Sequence, residues 1–294
     1  MNRLIKANYQ NTAIFFTFFL LWFSIQFGRL VEDSVAFVLI ISLGILHGAN
    51  DLLILSKGKK DKKVFLKHLT IYLLIIFFCV IIFLLSPIVA IMLFILLSSY
   101  HFGEEHLGEK IVVNKLFNLI FYMSYGVFLF SMLFYESMSD VDEIMRELTT
   151  VTFLKSQIEM ALIISSSFLV LASLYLVIKK NINLSMLLKE IFYFGLFFLV
   201  FKTCSLILGF AIYFILWHSI PSIINQVEFV YGDLTKENII SYVKKAIIYW
   251  IISILGLLAI YQFIPQMNLF STIIFVVLFA VTAPHTWVMH RMKG

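Results

Sequence analysis

Charge is what this chain has least of. Only 13% of its 294 residues are Asp, Glu, Lys or Arg, whereas 62% are hydrophobic and the mean hydropathy is +1.00. A soluble domain carries about a quarter charged residues. No stretch here is long and polar enough to fold as a separate soluble domain. Period-two alternation, the mark of a membrane barrel, is also missing. The apolar runs are continuous and around 20 residues long, the length of a membrane-crossing helix. The expected fold is all-α: a polytopic transmembrane helical bundle forming one integral-membrane domain over residues 1–294.

Other absences narrow the reading. There are only two cysteines, Cys79 and Cys204, both inside apolar runs. They read as small core residues rather than a disulfide. The first run, "AIFFTFFLLWFSIQF", follows Arg3 and Lys6 and has no small-residue cleavage site behind it. It is expected to be a retained first helix rather than a signal peptide. No repeat period stands out, which counts against a transporter built from symmetric halves. The net charge of +5 does not point to nucleic acid, because Lys and Arg here set membrane topology.

About ten spans are expected, near 12–30, 34–56, 65–85, 88–104, 112–135, 157–178, 188–202, 205–225, 240–263 and 269–290. Lys202-Thr203-Cys204 is the expected tight connection between the seventh and eighth. One long bent element there is the alternative. The basic connection "KGKKDKK" at 57–63 belongs on the cytoplasmic side. Alternation then leaves the acidic stretch "ESMSDVDEIMRELTT" outside, together with the uncharged connections at Pro87 and "IPQMN". Lys179, Lys180, Lys189, Lys244, Lys245, Arg291 and Lys293 fall inside. Both termini are expected in the cytoplasm and the protein in the cell (inner) membrane.

The seven histidines are His47, His68, His101, His106, His218, His285 and His290. His68 follows Lys67 at the start of a span, where an interfacial histidine needs no function. His47, His101, His218 and His285 fall in four even-numbered spans, all running from outside to inside. His47, His218 and His285 lie on the order of 9–15 Å from the cytoplasmic charges, and His101 is nearer the edge. Ionisable side chains inside spans are costly and usually face partners in the bundle interior. Four at one depth suggest a metal or catalytic site toward the cytoplasmic side, with separate helix-packing hydrogen bonds as the plainer alternative. Neutral imidazole suits Zn, Cu, Fe or Ni.

Asp51 follows His47 by four residues and Glu105 follows His101 by four, so each pair shares a face of a regular helix. Either carboxylate could accept the second ring N–H of a ligating histidine. Both could equally mark the membrane interface, and for Glu104 and His106 that reading stands level with a functional one. Gly44, Gly48 and Gly103 would allow close helix approach or local unwinding.

At these residues the sequence resembles the Brp/Blh family of membrane β-carotene 15,15′-dioxygenases. The matching pieces are "HGAND" at 47–51, "YHFGEEH" at 100–106, "WHS" at 217–219 and "APHTWVM" at 283–289. Their order and spacing match from the second span to the C-terminus. The resemblance implies oxidative cleavage of β-carotene at its central double bond, giving two molecules of retinal. O2 is the oxidant and non-haem Fe(2+) the cofactor. It also implies a microbial rhodopsin as retinal acceptor. Carried over by position, His47, His101 and His218 match the family's iron ligands. His285 matches its Pro-His motif and Asp51 the acid of its first motif.

The chain departs from the family pattern at three places. Ser222 stands where members often carry a second histidine, and His106 and His290 stand where they often carry Asp. His285 or His106 could complete a four-histidine shell. His106 and His290 each follow another histidine by five residues, about 140° around a helix, so joint ligation needs local distortion. The apolar, 17% aromatic composition would suit a polyene reached through the bilayer.

Rival readings remain. One is another histidine-metal membrane oxidoreductase on a lipid-like substrate, or a bis-histidine haem protein. Desaturase-like and hydroxylase-like sites resemble HxxxH and HxxHH clusters, and this chain has neither. The other is a non-enzymatic transporter or rhodopsin-assembly protein.

Overall fold

The computed structural model describes residues 2–58, 61–108, 110–111, 113–149, 151–263 and 269–293. Described residues outside turns and connections are helical, and none is in a strand. The helices are α1 (Asn2–Gln26), α2 (Arg29–Leu39), α3 (Ile45–Gly48), α4 (Asp51–Leu55), α5 (Lys62–Leu85), α6 (Pro87–Leu107) and α7 (Lys115–Glu136). After them come α8 (Met138–Leu148), α9 (Lys155–Ile178), α10 (Leu184–Thr203), α11 (Leu206–Ile212), α12 (Ile220–Tyr231), α13 (Lys236–Phe263) and α14 (Leu269–Lys293). Two π-helical stretches, Ile40–Gly44 and Tyr213–Ser219, join α2 to α3 and α11 to α12.

Among the described residues, eight helical segments are long and apolar enough to cross a membrane. The expected spans overlap helical segments, although the first, 12–30, crosses the break between α1 and α2. The connection "IPQMN" lies outside the described residues. The long helices are apolar on nearly all sides, as a span in contact with lipid must be. On α5, Leu66, Leu73, Leu74, Phe77, Phe78, Leu84 and Leu85 are exposed. Polar side chains close the helix starts. Asp61 accepts from Lys63 N at 2.8 Å, Asn114 from Phe117 N at 2.9 Å and Asn183 from Met186 N at 2.8 Å.

The seventh and eighth spans are separate. α10 ends at Thr203, and Ser205 caps α11 by accepting from Leu208 N at 3.2 Å. The acidic connection after α7 is not a plain loop. It forms α8, whose Val141, Met145 and Leu148 share one buried face.

The chain divides into two compact units. The first contains residues 1–16, 36–94 and 214–294, and within it α14 packs on α5, α4 and α3. The second contains residues 17–35 and 95–213, and its α7 packs on α9 and α10. In the second unit a Cβ on Gly103 would lie 2.1 Å from the Tyr122 carbonyl oxygen, and one on Gly126 2.2 Å from Ser99 Cα. Only glycine lets these two backbones approach so closely.

Candidate metal centre

His47, His218 and His285 converge in the first unit. All three are buried, with 4%, 1% and 1% of their surface exposed. The His47 and His285 rings lie 4.5 Å apart between centroids, and His47 and His218 5.4 Å apart, each pair edge to face. His218 stacks on Phe214 at 5.8 Å, and the same phenyl ring touches His47 edge-on at 5.4 Å.

Backbone irregularity sets up this convergence. His47 follows the π-helical stretch 40–44 by three residues, and His218 lies inside the stretch 213–219. A π turn adds a residue to the helical ring and rotates everything after it, and such turns gather at functional sites. Gly44 lies where a Cβ would stand 2.8 Å from Phe214 Cε1. A Cβ on Gly48 would stand 3.0 Å from Val281 Cγ1 and 3.7 Å from His285 Nδ1. Both glycines thus permit close approach around the imidazoles, and Gly44 is itself part of a π turn.

Hydrogen bonds fix the ring tautomers. His47 Nδ1 donates to the Gly44 carbonyl at 2.5 Å, and His285 Nδ1 donates to Asp51 Oδ1 at 2.8 Å. The Gly44 carbonyl only accepts, so Nδ1 of His47 carries a hydrogen, and an Asp51 carboxylate takes the Nδ1 hydrogen of His285 in the same way. His47 Nε2 is buried without a hydrogen-bond partner. The other Asp51 oxygen accepts from Tyr72 Oη at 3.1 Å. Asp51 is 1% exposed, and its hydrogen-bond partners are a phenol and an imidazole rather than a Lys or Arg.

Asp51 therefore orients His285 and not His47, the partner its spacing suggests. The cause is local. The helix breaks at Ala49–Asn50, and α4 restarts at Asp51, so positions 47 and 51 are no longer stacked on one regular helix. His47 turns to its own backbone instead.

Ser222 is fully buried in a polar chain. Gln226 Nε2 donates to Ser222 Oγ at 3.0 Å, Tyr242 Oη donates to Gln226 Oε1, and Asn50 Nδ2 donates to the Tyr242 carbonyl at 2.9 Å. The position where the resemblance suggests a histidine thus belongs to a side-chain network anchored beside Asp51.

The remaining candidates lie in the second unit or at the chain end. His101 is 1% exposed on α6, with Glu105 half-buried on the same helix. Glu104 accepts from Tyr100 Oη at 2.6 Å. His106 faces Glu190, with Nε2 2.7 Å from Oε2, and its ring stacks on Tyr125 at 5.0 Å. Lys110 Nζ reaches the other Glu190 oxygen at 3.0 Å. His290 is exposed near the end of α14. His47, His101 and His285 are buried, and each offers a ring nitrogen that could bind a metal.

Sequence reasoning missed Tyr72, Asn50, Gln226 and Tyr242, because ordinary polar residues near span ends carry no distinguishing spacing. It also missed Glu190. There a signal existed: an acid inside a membrane span needs a partner.

No curated protein and no solved structure matches the chain. Residues 38–293 match the family described as Beta-carotene 15,15'-dioxygenase, a stretch that includes every histidine of the sequence and all but the first helix and part of the second. With residues 38–293 matching the family and its first and last motifs joined through Asp51 and His285, the chain belongs to the beta-carotene 15,15'-dioxygenase family.

Proposed function

We propose that the protein is a carotenoid-cleaving membrane dioxygenase. It would split β-carotene at the central double bond to two molecules of retinal, using O2 at a histidine-ligated non-haem Fe(2+). The observation that carries this reading is the buried group of His47, His218, His285 and Asp51, taken with membership of the family.

The residues suit a metal cation. Two imidazoles have Nδ1 committed to acceptors, and His47 Nε2 is buried without a hydrogen-bond partner. A buried carboxylate whose hydrogen-bond partners are a phenol and an imidazole, with no Lys or Arg, suits a positive charge nearby. We propose His47, His101, His218 and His285 as the ligands, and we assign His106 to the ion pair with Glu190. Iron bound there would supply activation of O2 for attack on the polyene.

The chain's own residues have separate tasks. Asp51 holds the His285 ring by its Nδ1–H, and Tyr72 holds Asp51. The Gly44 carbonyl holds His47. Phe214 covers two imidazoles with an apolar ring and keeps water from them. Glu105, on the helix of His101, is the proposed carboxylate partner for that ligand. We further propose a multi-pass protein of about ten spans with both termini and the site toward the cytoplasm. A microbial rhodopsin is the proposed acceptor of retinal.

Expression in β-carotene-producing bacteria tests the reading. Loss of colour with retinal appearing is the expected result. Unchanged carotene beside folded, iron-loaded protein in the membrane would overturn it.

A further inference from the structure

Within the first unit, the C-terminal end of α14 meets the end of α4 and the start of α5. These segments, with Phe229 of α12, enclose a half-open cleft of about 500 Å3. Its lining has two chemical halves. Ile54, Leu55 and Val288 form an apolar floor and belong to one packed cluster with Met289. Lys57, His68, His290 and Arg291 supply the polar side, and no carboxylate lines the cleft among the described residues.

The two formal cations come from opposite ends of the sequence. Lys57 is exposed, donates from Nζ to the Phe229 carbonyl and lies 4.0 Å over the centre of the Phe229 ring. Arg291 is exposed, with its guanidinium 5.1 Å from the centre of the Trp287 ring. Each charged head lies over an aromatic face, which favours its place at the cleft edge. Basic residues at membrane edges are common for topological reasons alone. Such residues need no cavity between them and no apolar floor.

We propose that this cleft binds a phosphate group, with Lys57 and Arg291 as its cationic contacts. A guanidinium offers a planar fork matched to phosphate oxygens, and an ammonium adds a compact point charge. The group could arrive on a phospholipid, whose acyl chain would lie along Ile54, Leu55 and Val288, or as free phosphate. The site is separate from the imidazole group and carries no part of the proposed cleavage.

The test is binding, not turnover. Full-length protein, purified in detergent and stripped of lipid, is titrated with phosphatidylglycerol, phosphatidylcholine and inorganic phosphate, and bound ligand is read by native mass spectrometry. Phosphatidylglycerol is expected to bind and phosphatidylcholine to bind much less. Lys57→Gln and Arg291→Gln should each weaken binding about fivefold. Lys62→Gln and Lys63→Gln, in the same basic stretch but outside the cleft, should leave it unchanged. Saturation by inorganic phosphate that displaces the lipid would support the site and name free phosphate as its ligand. Binding only of the lipid would support the site and name the headgroup. Equal losses from all four variants would overturn the proposal in favour of diffuse surface attraction. Absence of any binding that depends on Lys57 and Arg291 would overturn it outright. Both residues are exposed, and the melting temperature of each lipid-free variant checks that the fold is kept.

Discussion

Two histidine–carboxylate pairs, one in each unit, look alike by distance and differ in everything else. His285 meets Asp51 at 2.8 Å, and His106 meets Glu190 at 2.7 Å. In the second pair Lys110 takes the remaining Glu190 oxygen, so an ammonium offsets the carboxylate charge. His106 is held through Nε2 and stacked on Tyr125, a closed arrangement. In the first pair the hydrogen-bond partners of Asp51 are a phenol and an imidazole, with no Lys or Arg, and His285 is held through Nδ1. A second imidazole ring, that of His47, lies 4.5 Å away. A carboxylate near a histidine is thus no sign of a metal site by itself. The nitrogen it holds, and whether a lysine shares the carboxylate, are what distinguish the two.

The largest expected effect comes from removing an imidazole of the first unit. His47→Ala or His285→Ala should abolish retinal production, by more than about a hundredfold, and remove bound iron. Retinal extracted from β-carotene-producing cells and metal analysis of purified protein read both. Breaking the other pair should do the reverse. Glu190→Ala leaves His106 and Lys110 facing each other without their acid, costing about 3 kcal/mol of stability. Thermal unfolding in detergent should show this, while iron per folded chain stays as in the wild type.

Smaller effects sharpen the contrast further. Asp51→Asn keeps the shape but removes the charge that orients His285, so iron affinity should fall about 10- to 100-fold in a chelator competition. Tyr72→Phe removes one hydrogen bond from Asp51 and should weaken iron about three- to tenfold in the same assay. If Tyr72→Phe weakens iron more than Asp51→Asn does, the proposed order of support is wrong.

Much of the fold was legible because membrane helices are written as continuous apolar runs. The break between α10 and α11 was legible too, at Thr203–Ser205. The helix α8 was not, because an acidic excess masked the spacing of Val141, Met145 and Leu148. Of the four histidines singled out by depth, His47, His218 and His285 are brought together within the first unit. The partner of Asp51 was not legible. Helix spacing predicts His47 only if the helix is unbroken, and the turn at Ala49–Asn50 breaks it. The π-helical stretches have no sequence signature of their own, although Gly44 sits in one. The role of Ser222 depends on Gln226 and Tyr242, which meet it only through packing.

Iron content tests the central claim most directly. Full-length wild type, His106→Ala and His285→Ala are purified from iron-supplemented cells, and metal per folded chain is measured. Stoichiometric iron is expected in the wild type and in His106→Ala, and little in His285→Ala. Iron retained by His285→Ala but lost from His106→Ala would contradict that claim, because the metal would then sit with the Glu190 pair.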